Sequence, residues 1–154
     1  MPAPQRPEPQ RPVPPRLSTV TLGVLDLERS SAFYERLGWK RSSASQAEIT
    51  FFQLGDMVLG LFPRRLLAED AAVPATEPLG FCGVTLAMAF ASPEEVDAAL
   101  SSAGDAGATI TKPGQATPWG GYSGYFSDPE GFLWEAVHVP GFGIDGQGRL
   151  RLPE

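Results

Sequence analysis

The sequence predicts an α+β fold built from two β-α-β-β-β modules. Three observations carry this. The same order of strand-like and helix-like segments runs twice, at an offset of about 66 residues. Each helical stretch opens on a capping residue and closes on glycine: Asp26 to Gly38, then Ser92 to Gly107. The strand-like runs are joined by hairpin turn signals, Gly55-Asp56 in the first half and Asp128-Pro129-Glu130-Gly131 in the second.

Taken in order, residues 1–15 form a zone of their own, holding seven of the 16 prolines. With few donors and little apolar content, it is expected to be an extended, disordered tail. Residues 16–139 are expected to form one domain, with module one at 16–63, a linker at 64–80 and module two at 81–139. In Leu17 to Leu25, Val20, Leu22 and Val24 fall on one strand face and Thr19, Thr21 and Gly23 on the other. Asp26 caps a helix to about Leu37, with Leu27, Ala32, Phe33 and Leu37 as its apolar stripe. Lys40 to Ser43, Ile49 to Leu54 and Met57 to Phe62 read as strands. The stretch from Pro63 to Gly80 reads as a polar, proline-containing linker.

Module two opens with a strand over Val84 to Phe90. Ser92-Pro93-Glu94-Glu95 is a capping box with proline at the first helical position, and Val96, Ala99, Leu100 and Ala103 form the buried stripe. A short strand starts at Thr109 to Thr111, and Tyr122 to Ser127 and Phe132 to Val139 close the module as a hairpin. In its turn, Pro129 presets φ near about −65° and Gly131 accepts a positive φ. Residues 140–154 are a short mixed tail whose final alternation suggests packing along the domain or a partner subunit.

The composition, 42% hydrophobic and 19% charged, suits a globular core. A formal net charge of −6 without a basic stripe excludes nucleic acid as the expected partner. No apolar run reaches membrane-spanning length and no signal-like N-terminus is present, so a cytoplasmic location is expected. Cys82 is the only cysteine; no internal disulfide can form, and its apolar surroundings suggest a small buried hydrophobe.

Two motifs connect the chain to known proteins. One is Val24-Leu25-Asp26-Leu27-Glu28-Arg29-Ser30 with Phe33-Tyr34 and Leu37-Gly38-Trp39; the other is Asp128-Pro129-Glu130-Gly131 with Leu133-Trp134-Glu135. Through them, over residues 17–139, the chain resembles the vicinal-oxygen-chelate superfamily of glyoxalases, extradiol dioxygenases and bleomycin-resistance-type proteins. The resemblance implies two modules whose mixed sheets curl into a half-open cup around one cavity, and a homodimer. It also implies four metal-ligand positions on four strands, normally His, Glu or Gln. Carried over, they fall on Thr19, Gly60, Thr85 (or Val84 if the register slips by one) and Glu135. Only Glu135 matches, so no metal and no other cofactor is expected. His138, three residues on in the same strand, points to the opposite face.

Glu135 is a carboxylate in a strand otherwise made of Leu133, Trp134, Ala136, Val137 and Val139, and must face water, a partner or a cavity. With Glu135 inward, the cup is expected to show Thr19, Thr21, Gly60, Phe62 and Thr85. That mixture suits a small organic ligand with an amine or hydroxyl donor. Glu135 could equally hydrogen-bond Thr19 or Thr85 and tie the modules together. In the glycine-rich loop before the last hairpin, Trp119, Tyr122 and Tyr125 are candidates to stack on a ligand, or else to pack a rim or dimer contact. No phosphate loop, nucleophile elbow or carboxylate pair is present.

Three functions fit these residues. The first is a metal-free protein that binds a small hydrophobic or aromatic molecule. The second is a metal-independent isomerase- or lyase-type enzyme with Glu135 as general acid or base. The third is a metal-dependent glyoxalase or dioxygenase with an altered site.

Overall fold

A computed structural model describes residue 13, residues 15–76 and residues 80–154. The expected N-terminal tail falls almost wholly outside the described residues.

Module one holds β1 (Thr19–Val24), α1 (Leu27–Arg36), β2 (Thr50–Leu54) and β3 (Met57–Pro63). Its sheet runs β1-β3-β2, with β1 parallel and β2 antiparallel to β3. A second helix, α2 (Arg64–Asp70), follows directly and leads to module two: β4 (Thr85–Ala89), α3 (Pro93–Asp105), β5 (Thr109–Ala116), β6 (Tyr122–Ser127) and β7 (Leu133–His138). That sheet runs β4-β7-β6-β5, with β4 parallel to β7 and the other pairs antiparallel. The α+β architecture of two open mixed sheets is as the sequence predicts. Among the described residues, no helix is long and apolar enough to cross a membrane.

The modules differ where the sequence pulls locally. The strand expected over Lys40 to Ser43 shrinks to one bridge, Arg41 to Phe52. Arg41 is drawn onto the α1 carboxylates, its Nη2 lying 3.0 Å from Glu28 and 2.9 Å from Glu35. Just beyond, serine hydroxyls take over strand amides: Ser42 Oγ accepts from Ala44 N and Ser45 Oγ from Phe51 N. The bridge still occupies the place that β5 fills in module two. Strand β5 runs five residues beyond Thr111, but its pairing with β6 shifts twice around Pro113, as proline on an edge strand allows.

The capping residues act as the sequence implies. Asp26 accepts from Arg29 N at 2.9 Å and Ser92 from Glu95 N at 3.2 Å. One continuous core joins the modules, with Phe33 and Tyr34 of α1, Phe52, Leu59, Val96, Phe126 and Trp134 all buried. Leu22 and Val24 face it from β1 and Trp134 and Ala136 from β7, so the opposite strand faces are free to form the cup.

The C-terminal residues form a small hairpin, β8 (Gly143–Ile144) with β9 (Leu150–Arg151). Asp145 holds it together, accepting from the backbone of Gln147 and Arg149 and from the Arg149 and Arg151 side chains. Those donors, led by the Arg149 amide, lower its pKa well below the usual carboxylate range. Arg149 also reaches Asp56 in the β2–β3 turn at 2.8 Å, fastening the tail to module one. Cys82 is exposed rather than buried, because Phe81, Cys82 and Val84 precede β4 outside the core.

Candidate functional site

Strand register shows how the two halves of the cup correspond. In module one Thr19 pairs with Val58 and Thr21 with Gly60. In module two Thr85 pairs with Leu133 and Ala87 with Glu135. Thr19 and Thr85 are therefore equivalent positions, and so are Gly60 and Glu135. All four lie on the strand faces turned away from the core, on the side opposite Leu22, Leu59, Trp134 and Ala136.

A metal does not fit these positions. Gly60 offers no side chain to ligate, and a Cβ added there would lie 3.1 Å from Thr21 Oγ1 and 3.5 Å from the Phe51 ring. Thr19 and Thr85 offer neutral hydroxyls, poor donors for zinc, nickel or iron. Among the described residues, no three or more His, Cys, Asp or Glu side chains are grouped to hold an ion. His138 is engaged elsewhere, its Nδ1 lying 3.0 Å from the Phe90 carbonyl oxygen.

Glu135 is half-buried and stands directly across the β6–β7 ladder from Tyr125. Burial, and then the adjacent Glu135 carboxylate, raise the Tyr125 phenol pKa above its ordinary value. Among the described residues, no hydrogen bond runs from Glu135 to Thr19 or Thr85. The carboxylate and phenol thus form a polar pair on an otherwise apolar strip with Leu133 and Val137.

The aromatic loop divides. Tyr125 belongs to the cup, but Tyr122 does not: it shares a strand face with Gly124 and buried Phe126, and its hydroxyl donates to Asp97 of α3 at 2.9 Å. That hydrogen bond is the main cause of a raised Tyr122 pKa. Strand alternation, which separates residues three apart, overrules the grouping of Tyr122 with Tyr125. Trp119 is 57% exposed and lays its ring over the bare Cα of Gly121 at the far end of the hairpin.

Thr19 lines a depression of 320 Å³ with Phe51, Gln53 and Val58, all from module one. A larger cavity of 570 Å³ spans the modules; Gly23, Leu25 and Arg64 enter it from one side and Val84, Thr111, Ser127 and Leu133 from the other. It reaches Leu133, two residues before Glu135, without being lined by Glu135 itself. Phe62 pairs with Gly23 beside this end of the cup. Helix α2 shapes it, because a Cβ at Gly23 would lie 3.2 Å from both Arg64 Cα and Leu67 Cδ2. Arg64 carried no distinguishing mark in the sequence; the one signal was the bare Gly23 on an inward strand face.

The two motifs that suggested the family turn out to be halves of one clasp. Glu130 of the β6–β7 turn accepts from Leu25 N at 3.2 Å and Asp26 N at 3.0 Å, at the start of α1, and pairs with Arg29 at 3.1 Å. Asp128 accepts from the Tyr34 hydroxyl at 2.6 Å and from its own turn at Glu130 N and Phe132 N, both at 2.9 Å. Tyr34 in turn accepts from Trp134 Nε1 at 3.1 Å. Burial raises the Tyr34 pKa strongly and outweighs the hydrogen bonds at Asp128, whose pKa is also raised. These carboxylates hold the modules together.

Comparison with known proteins agrees with this geometry. The family model of the Glyoxalase/Bleomycin resistance protein/Dioxygenase superfamily matches residues 16–136. A crystal structure of a glyoxalase-related enzyme from Fulvimarina pelagi superposes with a TM-score of 0.81 at 32% identity, covering 91% of this chain and 99% of that one. A glyoxalase/bleomycin resistance protein/dioxygenase from Nocardioides gives 0.71 at 30%, covering 82% and 84%. A lactoylglutathione lyase from Agrobacterium tumefaciens shares the fold, with a TM-score of 0.59 at 23% identity, covering 82% and 95%. No curated protein matches the chain.

Proposed function

The chain belongs to the Glyoxalase/Bleomycin resistance protein/Dioxygenase superfamily, and from that premise we propose that it binds a small hydrophobic or aromatic molecule in its cup without a metal. The observation that carries this reading is the contrast between Gly60 and Glu135. At one of two equivalent positions Thr21 and Phe51 crowd the space where a ligand side chain would project; at the other a carboxylate remains beside Tyr125 on an apolar strip. Such a surface favours an organic ligand with an amine or hydroxyl donor for Glu135. A homodimer and a cytoplasmic setting belong to the same proposal.

Thermal-shift screening against aromatic metabolites and antibiotics, followed by calorimetry, tests it. Hits should bind equally well with and without a chelator, and Glu135→Gln should weaken donor-bearing ligands by about tenfold, the loss of one charge-assisted hydrogen bond. Stoichiometric zinc, nickel, manganese or iron in the purified protein would overturn it.

The pairing of Glu135 with a protonated Tyr125 favours a second reading, metal-independent proton transfer in an isomerase- or lyase-type reaction. Here Glu135 takes a proton from substrate while Tyr125 donates to the developing oxyanion. Glu135→Gln would then abolish turnover and Tyr125→Phe would lower kcat with little change in KM.

A further inference from the structure

We propose that the cavity at the module junction takes the carboxylate of a small apolar acid, with Arg64 as its partner. This names a ligand class for the junction end of the cup, apart from Glu135, and rests on the reading that the cup holds a small organic molecule. The cavity's 570 Å³ lies within the range of about 300–1,000 Å³ typical of organic-ligand sites. Its described lining carries two charged residues, Arg64 and Glu130. Glu130 is already satisfied: its oxygens take the amides of Leu25 and Asp26 and the Arg29 guanidinium, and its side chain is 6% exposed. Among the described lining residues, the net charge of this wall therefore comes from Arg64.

The guanidinium is held in place. Arg64 Nε donates to the Thr76 carbonyl oxygen at 3.0 Å and Nη2 donates to the same oxygen, while neither bond uses Nη1. The glycine at position 23 lets the Arg64 backbone and stem lie across the end of β1; a Cβ there would meet Arg64 Cα at 3.2 Å and Cγ at 3.4 Å. Thr111 and Ser127 add hydroxyls, and Phe81, Val84 and Leu133 supply apolar surface. Phe81 and Val84 are 66% and 55% exposed, so they retain contact area for a ligand. A neutral ligand would desolvate the guanidinium without replacing its water, and an amine would be repelled; a carboxylate accepts from it.

The test compares naphthoate with its neutral isostere naphthamide, by calorimetry and by the rate at which iodoacetamide alkylates Cys82, the chain's only cysteine and part of the same cavity wall. Naphthoate should bind at least about tenfold tighter, as a charge-assisted hydrogen bond implies, and should slow alkylation. Arg64→Gln should remove the preference and Arg64→Lys should keep part of it. Equal affinities, or a preference surviving Arg64→Gln, overturn the inference and leave the cup reading standing. Binding of neither probe overturns it too, and the cup reading is then judged on amine- and hydroxyl-bearing ligands with Glu135→Gln. If Arg64→Gln does not fold, the wild-type preference and its weakening by salt decide.

Discussion

Asp128, 4% exposed, receives donors from three directions: the Tyr34 hydroxyl and the amides of Glu130 and Phe132. Removing one partner from such a site leaves a buried polar group unpaired, which costs about 1–3 kcal/mol. Tyr34→Phe should therefore lower unfolding stability by that amount, since it strips Asp128 of its shortest bond and Trp134 Nε1 of its acceptor. Asp128→Asn should cost a similar amount, and its pH dependence has a definite sign. Burial raises the folded-state pKa of Asp128 above the ordinary 3.8. The folded protein thus holds this proton more tightly than the unfolded chain. The resulting stability is fully present below pH 3.8 and is lost as pH rises through the folded pKa. Because Asn does not titrate, the stability gap between wild type and Asp128→Asn should widen on acidification across that window. Urea titrations of both proteins at several pH values would measure it; a gap that narrows towards acid contradicts this picture.

At the scale of elements, helix α2 is the main departure from the sequence pattern. Arg64-Arg65-Leu66-Leu67-Ala68-Glu69-Asp70 has no side-chain N-cap, and its seven residues are too short to show a helical period. It is fixed instead by tertiary contact: Leu67 and the Arg64 stem press on Gly23, and Arg64 ties back to Thr76. The longer helices were legible because Asp26 and Ser92 cap them and their apolar stripes repeat over several turns. The strand at Arg41 was lost for the opposite reason, since local serine and ion-pair contacts replaced ladder bonds. If the close approach at Gly23 sets α2, then Gly23→Val should displace it, at about 1–3 kcal/mol for overpacking. Hydrogen exchange should speed up in residues 64–71 while α1 and α3 keep their protection. Uniform loss of protection would mean that α2 is not held separately by this contact.

For the whole molecule, the strand faces could be read from period-two alternation, whereas the equivalence of Gly60 with Glu135 was implied by the family resemblance and follows here from strand register. Tyr122 and Tyr125 show the limit: both are aromatic and close in sequence, yet they lie on opposite sides of one sheet. The inter-module partners of Asp128 and Glu130 were also hidden, because a turn motif does not reveal what its carboxylates will reach a hundred residues away. That reach ties the last hairpin of module two to the start of α1 in module one. Their buried side chains form a single cluster, and Trp39 and Trp134 pack at the junction with ring centroids 5.5 Å apart. Glu130→Ala removes the acceptor for two backbone amides and the partner of Arg29, at a cost on the order of 3 kcal/mol for hydrogen bonds to a mostly buried charge. The shared core should still enforce one transition, so tryptophan fluorescence at the junction and far-ultraviolet circular dichroism should shift to lower urea together. Were the fluorescence change to precede the loss of secondary structure, the clasp rather than the core would be what couples the modules.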